Sequence, residues 1–244
     1  MTIDVFFSPA VVDEPSVEGR TAVVIDVIRA TSTLVEALAN GARAIFPIVS
    51  TEEAVKLASS LGREDTLLCG ERKGLKVEGF DLGNSPSEFT AAVVEGKQIV
   101  MTTTNGTRAF VAAEGADKVI AASFMNLAAV SEALNGVHSL VIVCSGRENR
   151  FSLDDALCAG MLIRALEEGG EEELDLNDAG RVVRDLASNY TVDVEFLRST
   201  AAGKALVDAG LAADLELCAS QDRHTLVPEM RERRISLPPR TGED

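Results

Sequence analysis

The fold class predicted by this sequence is α/β, three layers deep, with helices on both faces of a mostly parallel sheet. Three observations predict it. Continuous β-branched runs such as residues 21–28 (TAVVIDVI) and 139–143 (SLVIV) read as strands buried on both faces. Each run leads through small polar residues into a segment with apolar residues at helical spacing, the alternation of a parallel sheet. Sliding the chain by 74 positions puts Gly115 on Gly41, Ile99 on Ile25 and the Asn105 turn on the Thr31 turn, which points to an internal duplication of βαβ units.

The elements follow in order. Strand 21–28 ends in a Thr/Ser cluster that opens a helix over 34–40, closed by Gly41 as a C-terminal cap would close it. A strand at 44–49 (AIFPIV), a helix at 51–61 and a strand at 66–68 come next. Residues 97–103 (KQIVMTT) restart the pattern: strand, turn 104–107, helix, strand 118–122 and helix 126–134. Strand 139–143 then leads to Cys144-Ser145-Gly146-Arg147. Ser152-Leu153-Asp154-Asp155 opens a helix with acidic residues at its positive end. Beyond Gly169-Gly170 an acidic run, 171–178, leads into helices over 179–189, 194–199 and 200–209, with 215–220 as a short last strand. The reading is one domain over 1–236, with pseudo-repeated lobes near 20–95 and 96–170, and a frayed tail at 237–244.

The 244 residues, 46% of them hydrophobic, are enough to bury a substantial core. A formal charge of -16 and a pI near 4.6 argue against nucleic acid and anionic membranes as partners, because the long-range field repels both. A small anion can still be held locally. Only 6 of the 23 basic residues are Lys, a count that a salt-adapted source would give and that biased codon usage gives as well. The four cysteines are scattered, without a CxxC pair, and there are two histidines, so neither a zinc site nor a disulfide framework is expected. The first residues lack a basic stretch ahead of their short apolar run, unlike a secretory signal, and no run is long enough to cross a bilayer. A reducing cytoplasm is the expected location. A homodimer is left open.

Three strand ends finish in small polar residues: Asp26 with Arg29, Thr31 and Ser32; the turn Thr104, Asn105, Gly106 and Thr107; and Ser145 with Gly146. The crevice beyond such ends is where open α/β sheets bind ligands, and free N–H groups at helix starts suit a phosphate or sulfonate. The plainer reading is that each Ser or Thr caps its helix. Asp26 is the sharpest residue, because a carboxylate on an apolar strand must be paired, hydrogen-bonded or metal-bound. It is either structural, held by Arg29, or a Mg²⁺ ligand or nucleophile. Residues 70–89 (GERKGLKVEGFDLGNSPSEF) combine glycines with Glu71, Asp81, Asn84 and Ser85, which suits a solvated loop or one that closes over a hard cation.

Four segments, IDVIRATST (25–33), residues 70–89, TTTNGTRA (102–109) and CSGRENRFSLDDALCAG (144–160), occur in an order and spacing that resembles the 2-phosphosulfolactate phosphatase family over roughly residues 1–235. The resemblance implies Mg²⁺-dependent hydrolysis of (2R)-2-phospho-3-sulfolactate to 3-sulfolactate and phosphate. In methanogens that is a step of coenzyme M formation; bacterial members can serve other sulfolactate metabolism. Carried onto this chain, it implies Asp26, Arg29 and Asp81 as catalytic residues and Asp26, Glu71 and Asp81 as metal-proximal. Thr31, Ser32, Asn84, Ser85, Thr104, Asn105, Gly106, Thr107, Ser145 and Gly146 would face a small anionic substrate. Asp154 belongs to the same motif set without an assigned role.

Rival readings differ at single residues. A haloacid-dehalogenase-type phosphatase needs a second Asp two positions after the first, where this chain has Ile28. An isochorismatase-like cysteine hydrolase would use Cys144 as nucleophile with Asp26 as base, against the plainer reading of Cys144 as a small buried residue. A non-catalytic binder of phosphorylated or sulfonated metabolites would need the anion-binding turns but no metal carboxylates.

Overall fold

The computed structural model describes residues 1–170 and 173–239. Part of the acidic run expected at 171–178, and the tail from 240 to 244, lie outside the described residues. Eleven strands form one sheet: β1 (Thr2–Phe6), β2 (Thr21–Ile25), β3 (Ala44–Pro47), β4 (Thr66–Arg72), β5 (Leu75–Lys76), β6 (Gln98–Thr102), β7 (Lys118–Ala122), β8 (Ser139–Cys144), β9 (Asp175–Leu176), β10 (Glu229–Arg231) and β11 (Arg234–Ser236). Their order across the sheet is β5-β4-β6-β3-β11-β10-β7-β2-β8-β1-β9. Pairing is parallel within β4-β6-β3 and within β7-β2-β8-β1-β9. The hairpin β10–β11 joins these two groups by antiparallel pairing, to β7 on one side and β3 on the other. Strands of the two expected pseudo-repeats interleave: β2 lies between β7 and β8, and β6 between β4 and β3.

The helices are α1 (Glu14–Val17), α2 (Ala30–Ala39), α3 (Thr51–Leu61), α4 (Ala91–Val94), α5 (Gly106–Ala112), α6 (Leu127–Ala133), α7 (Leu153–Gly169), α8 (Asp178–Leu186), α9 (Val194–Ser199), α10 (Ala201–Asp208) and α11 (Asp214–Cys218). The period-2 alternation of the strands sorts them into layers. Val23 and Ile25 of β2 pack in one core with Leu127 and Val130 of α6 and with Leu157, Leu162 and Ile163 of α7. Ala22 and Val24, pointing the other way, pack with Leu34 and Leu38 of α2 and Phe110 of α5. A smaller core places Ala54 and Ala58 of α3 on Leu68 and Val100. Each fully buried Val, Ile or Leu contributes about 1.5–3 kcal/mol, so the two larger cores hold β2 from both faces. Among the described residues no helix is long and apolar enough to cross a membrane.

Several sequence-based boundaries shift. The first expected strand stops at Ile25, leaving Asp26 just past its end, and β4 runs to Arg72, so Glu71 sits on a strand rather than in a loop. Residues 215–220, expected as a strand, are instead covered by α11 up to Cys218. Leu215 and Cys218 are buried three positions apart, which is the spacing of one helix face, and a strand would have turned them to opposite sides. Sequence reading also missed β1, β10 and β11. The last two are built from EMR and RIS, whose charged residues hide a short antiparallel hairpin.

Candidate active site

A cleft of about 350 Å³ opens where β2, β6 and β8 end. Asp26 and Arg29 reach it from the end of β2, Thr104 and Asn105 from β6, and Ser145, Gly146 and Arg147 from β8. The start of α7 contributes Ser152, Asp154 and Asp155, and the β4–β5 hairpin contributes Glu71, Lys73 and Gly74. Asn84 and an apolar wall of Ala202, Ala205 and Leu206 complete it. This is the crevice at the carboxyl ends of parallel strands that open α/β sheets use for ligands.

Asp26 is buried, and its Oδ1 accepts the Ala30 N–H at 3.2 Å. Burial is the main cause that raises its pKa from 3.8 to about 7, reinforced by the charges of Asp154 and Glu71 and opposed by the Ala30 N–H and the Ser145 hydroxyl. No Lys or Arg pairs with it among the described residues. Gly106 lies against it: a side chain there would begin 2.6 Å from Asp26 Oδ2 and 2.5 Å from the Ala30 Cβ. Only glycine lets the β6 turn approach the β2 end this closely.

Two further acids share the floor. Asp155 accepts the Val27 N–H at 2.9 Å, the Gly146 N–H at 2.9 Å and the Ser145 hydroxyl at 3.0 Å, and so ties the ends of β2 and β8 to α7. Asp154 accepts the Ser152 hydroxyl at 2.5 Å. Burial pushes both carboxyls up, and for Asp155 the charges of Asp154 and Asp26 add to it; Arg147 works in the opposite direction on Asp154. Gly146 takes φ +62, and a Cβ there would meet the Arg150 carbonyl at 2.2 Å, so the turn after β8 requires glycine.

Arg29 is committed to a structural network. Its Nη1 donates to Asp214 Oδ2 at 2.7 Å, with both side chains about 4% exposed, and its Nη2 donates to the Gly74 carbonyl at 2.9 Å. Ser85 donates to the other oxygen of Asp214 at 2.5 Å. One buried carboxylate of α11 thereby holds the β2 turn and the 83–85 loop together, and Arg29 extends the network to the β4–β5 hairpin.

The stretch 70–89 divides into two halves. Glu71 lines the cleft, with Oε2 accepting the Gly74 N–H at 2.7 Å and Oε1 accepting the Thr104 N–H at 2.6 Å. Asn84 lines it too, and its buried Oδ1 has no hydrogen-bond partner among the described residues. Asp81 does not reach the cleft. Its oxygens accept Arg63 Nη2 at 3.0 and 2.9 Å and the Leu68 N–H at 2.7 Å, so the carboxylate expected to hold metal instead anchors the loop to the outer side of β4.

Several expected anion contacts also turn inward. The Thr31 hydroxyl donates to the Asp26 carbonyl at 2.8 Å, that of Ser32 to the Val27 carbonyl at 2.8 Å and that of Thr107 to the Thr103 carbonyl at 2.9 Å. These hydroxyls, with Ser85, shape the turns and do not line the cleft. Among the described residues the N-cap residues Arg29, Asn105 and Ser152 make no side-chain cap bond, but the Thr103 hydroxyl accepts the Thr107 N–H at 3.1 Å, so the plain capping reading holds at the start of α5. Cys144 packs in the core, and burial pushes its thiol pKa well up, which is unsuited to a thiolate nucleophile.

Among the described residues no three His, Cys, Asp or Glu side chains form a ready-made metal cluster. Hard oxygens line the cleft from Asp26, Glu71, Glu148, Asp154, Asp155 and the Asn84 Oδ1, and such donors suit Mg²⁺, which takes oxygen ligands and keeps several of its waters. Sequence reading quoted Asp155, Lys73 and Arg147 without a site role, and did not single out Asp214. A signal existed for Asp155, which sits beside Asp154 ahead of an apolar helix. Asp214 carried none, since its bond to Arg29 spans 185 positions.

Comparison with known proteins places this chain among relatives of one kind. A family model described as 2-phosphosulpholactate phosphatase matches residues 6–233. A Clostridium perfringens protein (strain 13) named "Probable 2-phosphosulfolactate phosphatase" is 42% identical over 235 residues, covering 95% of this chain and 94% of its own. Proteins of the same name from Thermotoga petrophila and Pseudothermotoga lettingae are 41% identical over 229 residues and 40% over 235. They cover 93% and 96% of this chain and 95% and 97% of their own lengths.

Proposed function

The chain belongs to the 2-phosphosulpholactate phosphatase family and is a phosphoric monoester hydrolase; from that premise we propose that it hydrolyses (2R)-2-phospho-3-sulfolactate to 3-sulfolactate and phosphate with the help of Mg²⁺. The observation that carries the proposal is Asp26, a carboxyl without a basic partner among the described residues, its pKa raised by burial to about 7 in a polar cleft. Groups tuned in this way are suited to proton transfer at pH 7.

In this reading Asp26 Oδ2 holds the proton. It gives that proton to the ester oxygen as the P–O bond breaks and the electron pair stays on the sulfolactate oxygen. Water forms the new P–O bond, and the proton it sheds returns to the Asp26 carboxylate. Asp155, whose oxygens accept Val27, Gly146 and Ser145, keeps the strand ends in register around the reacting group. Asp154 and Asn84 Oδ1 would hold Mg²⁺, and the ion would supply charge neutralisation between the phosphate and the acids around it. Glu71 supports the Thr104 turn and the hairpin. The enzyme acts, in the same proposal, on a small dissolved anion in the cytoplasm.

The test is phosphate release from 2-phosphosulfolactate with and without Mg²⁺. Asp26→Asn should lower kcat by about 10²–10⁴. A full rate in that variant would sink the assignment, and a full rate in excess EDTA would remove the metal. Tight binding with no phosphate released over hours would favour a non-catalytic binder instead.

A further inference from the structure

The substrate proposed above carries three anionic groups into a cleft whose walls are rich in carboxylates. Arg29 cannot answer that charge alone, because the buried Asp214 already balances it. The remaining basic side chains on the wall are Lys73 and Arg147. Arg147 Nη1 donates to the Ala201 carbonyl at 2.9 Å, and the residue directly follows Ser145 and Gly146, which bind Asp155 at 3.0 and 2.9 Å. Its guanidinium is therefore already engaged with the backbone at the start of α10.

Lys73 stands elsewhere. It occupies the tip of the β4–β5 hairpin at φ 54, is exposed, and has no carboxylate partner among the described residues. The hairpin beneath it is pinned twice, by the Gly74 N–H on Glu71 Oε2 at 2.7 Å and by the Gly74 carbonyl on Arg29 Nη2 at 2.9 Å. A free cation on a fixed turn at the mouth of a cleft is a recognition element, and an unpinned surface lysine would not be one.

We propose that Lys73 reads the substrate's non-reacting sulfonate at the mouth of the cleft. The inference rests on the phosphatase reading. With the phosphate at the buried floor beside Asp26, the carboxylate shares carbon 2 with the ester oxygen and stays near the floor. The sulfonate is one carbon further on and extends outward. A sulfonate stays ionised and only accepts hydrogen bonds, while an ammonium only donates them. Ala202, Ala205 and Leu206 offer an apolar wall to the methylene between them.

The experiment measures phosphate release from 2-phosphosulfolactate and from 2-phospholactate, in which hydrogen replaces the sulfonate. Each is assayed with unmutated protein, Lys73→Met and Lys73→Arg. The unmutated protein should favour the sulfonate in kcat/KM by about tenfold or more, the size of one charge-assisted contact. Lys73→Met should lose that preference through KM, and Lys73→Arg should restore most of it. Both substrates are assayed on one preparation, so an unfolded fraction cancels in the ratio. A preference undiminished in Lys73→Met overturns the assignment while the phosphatase reading stands. Phosphate released from neither compound by the unmutated protein overturns the phosphatase reading itself.

Discussion

Arg29 and Asp214, 185 positions apart in sequence, form an ion pair of 2.7 Å sealed from solvent on both sides. Asp214→Ala would leave a guanidinium buried without its counter-charge and release Ser85 as well. Removing one partner of such a pair costs about 3–5 kcal/mol. The urea midpoint should fall accordingly, and kcat/KM should fall with it because Arg29 also carries the Gly74 carbonyl. An unchanged midpoint would show that the pair contributes nothing.

The pKa of Asp26 couples stability to pH. Its folded-state pKa, about 7, lies above the ordinary 3.8, so the folded protein holds the proton more tightly than the unfolded chain. The stability this brings is complete below about pH 4 and is lost as pH rises through 7. A rise of that size corresponds to at most about 4 kcal/mol. Asp26→Asn should therefore raise Tm at pH 8 and change it far less at pH 5, while lowering kcat by about 10²–10⁴. Asp154 and Asp155, raised in the same direction, would keep part of the slope. Scanning calorimetry at the two pH values decides it, and a lower Tm for the variant at pH 8 would contradict the argument.

Removing Asp81 separates loop anchoring from catalysis. Asp81→Ala deletes a partly exposed pair with Arg63 and a bond to the Leu68 N–H. The expected cost is about 1–2 kcal/mol of stability, with kcat within about twofold. A loss of a hundredfold or more in kcat at saturating Mg²⁺ would return Asp81 to the metal site.

All four cysteines are free and buried, and burial raises the thiol pKa of each. Iodoacetamide at pH 8 should leave both mass and activity of the native protein unchanged, and should label the chain only after denaturation. Rapid inactivation that tracks modification of Cys144 would revive the cysteine-hydrolase reading.

The layered fold was legible because period-2 and period-3.6 patterns are local. TAVVIDVI and SLVIV announced β2 and β8, and the polar residues after them located the cleft. Asp26 was legible for a related reason, since a carboxylate on an apolar run has few structural explanations. What escaped was set by distance. Nothing near Arg29 in sequence reveals that Asp214 balances it, and nothing near Asp81 reveals that Arg63 claims it. The hydroxyls of Thr31, Ser32 and Thr107 misled for the opposite reason. Their types suit an anion, but each lies within five positions of a carbonyl that it bonds.

The hairpin β10–β11 is the hydrogen-bonded link between the two parallel groups of strands, and it is made from the last described elements of the chain. Until it arrives, β3 and β7 each present an open edge, and open edges recruit other chains. A ribosome-bound chain that ends before Glu229 thus carries two sticky borders at once. Pairing of this hairpin, rather than the formation of any helix, is what covers both edges. A version truncated before Glu229 should accumulate in inclusion bodies, and its recovery as soluble monomer would show that the two groups of strands close without it.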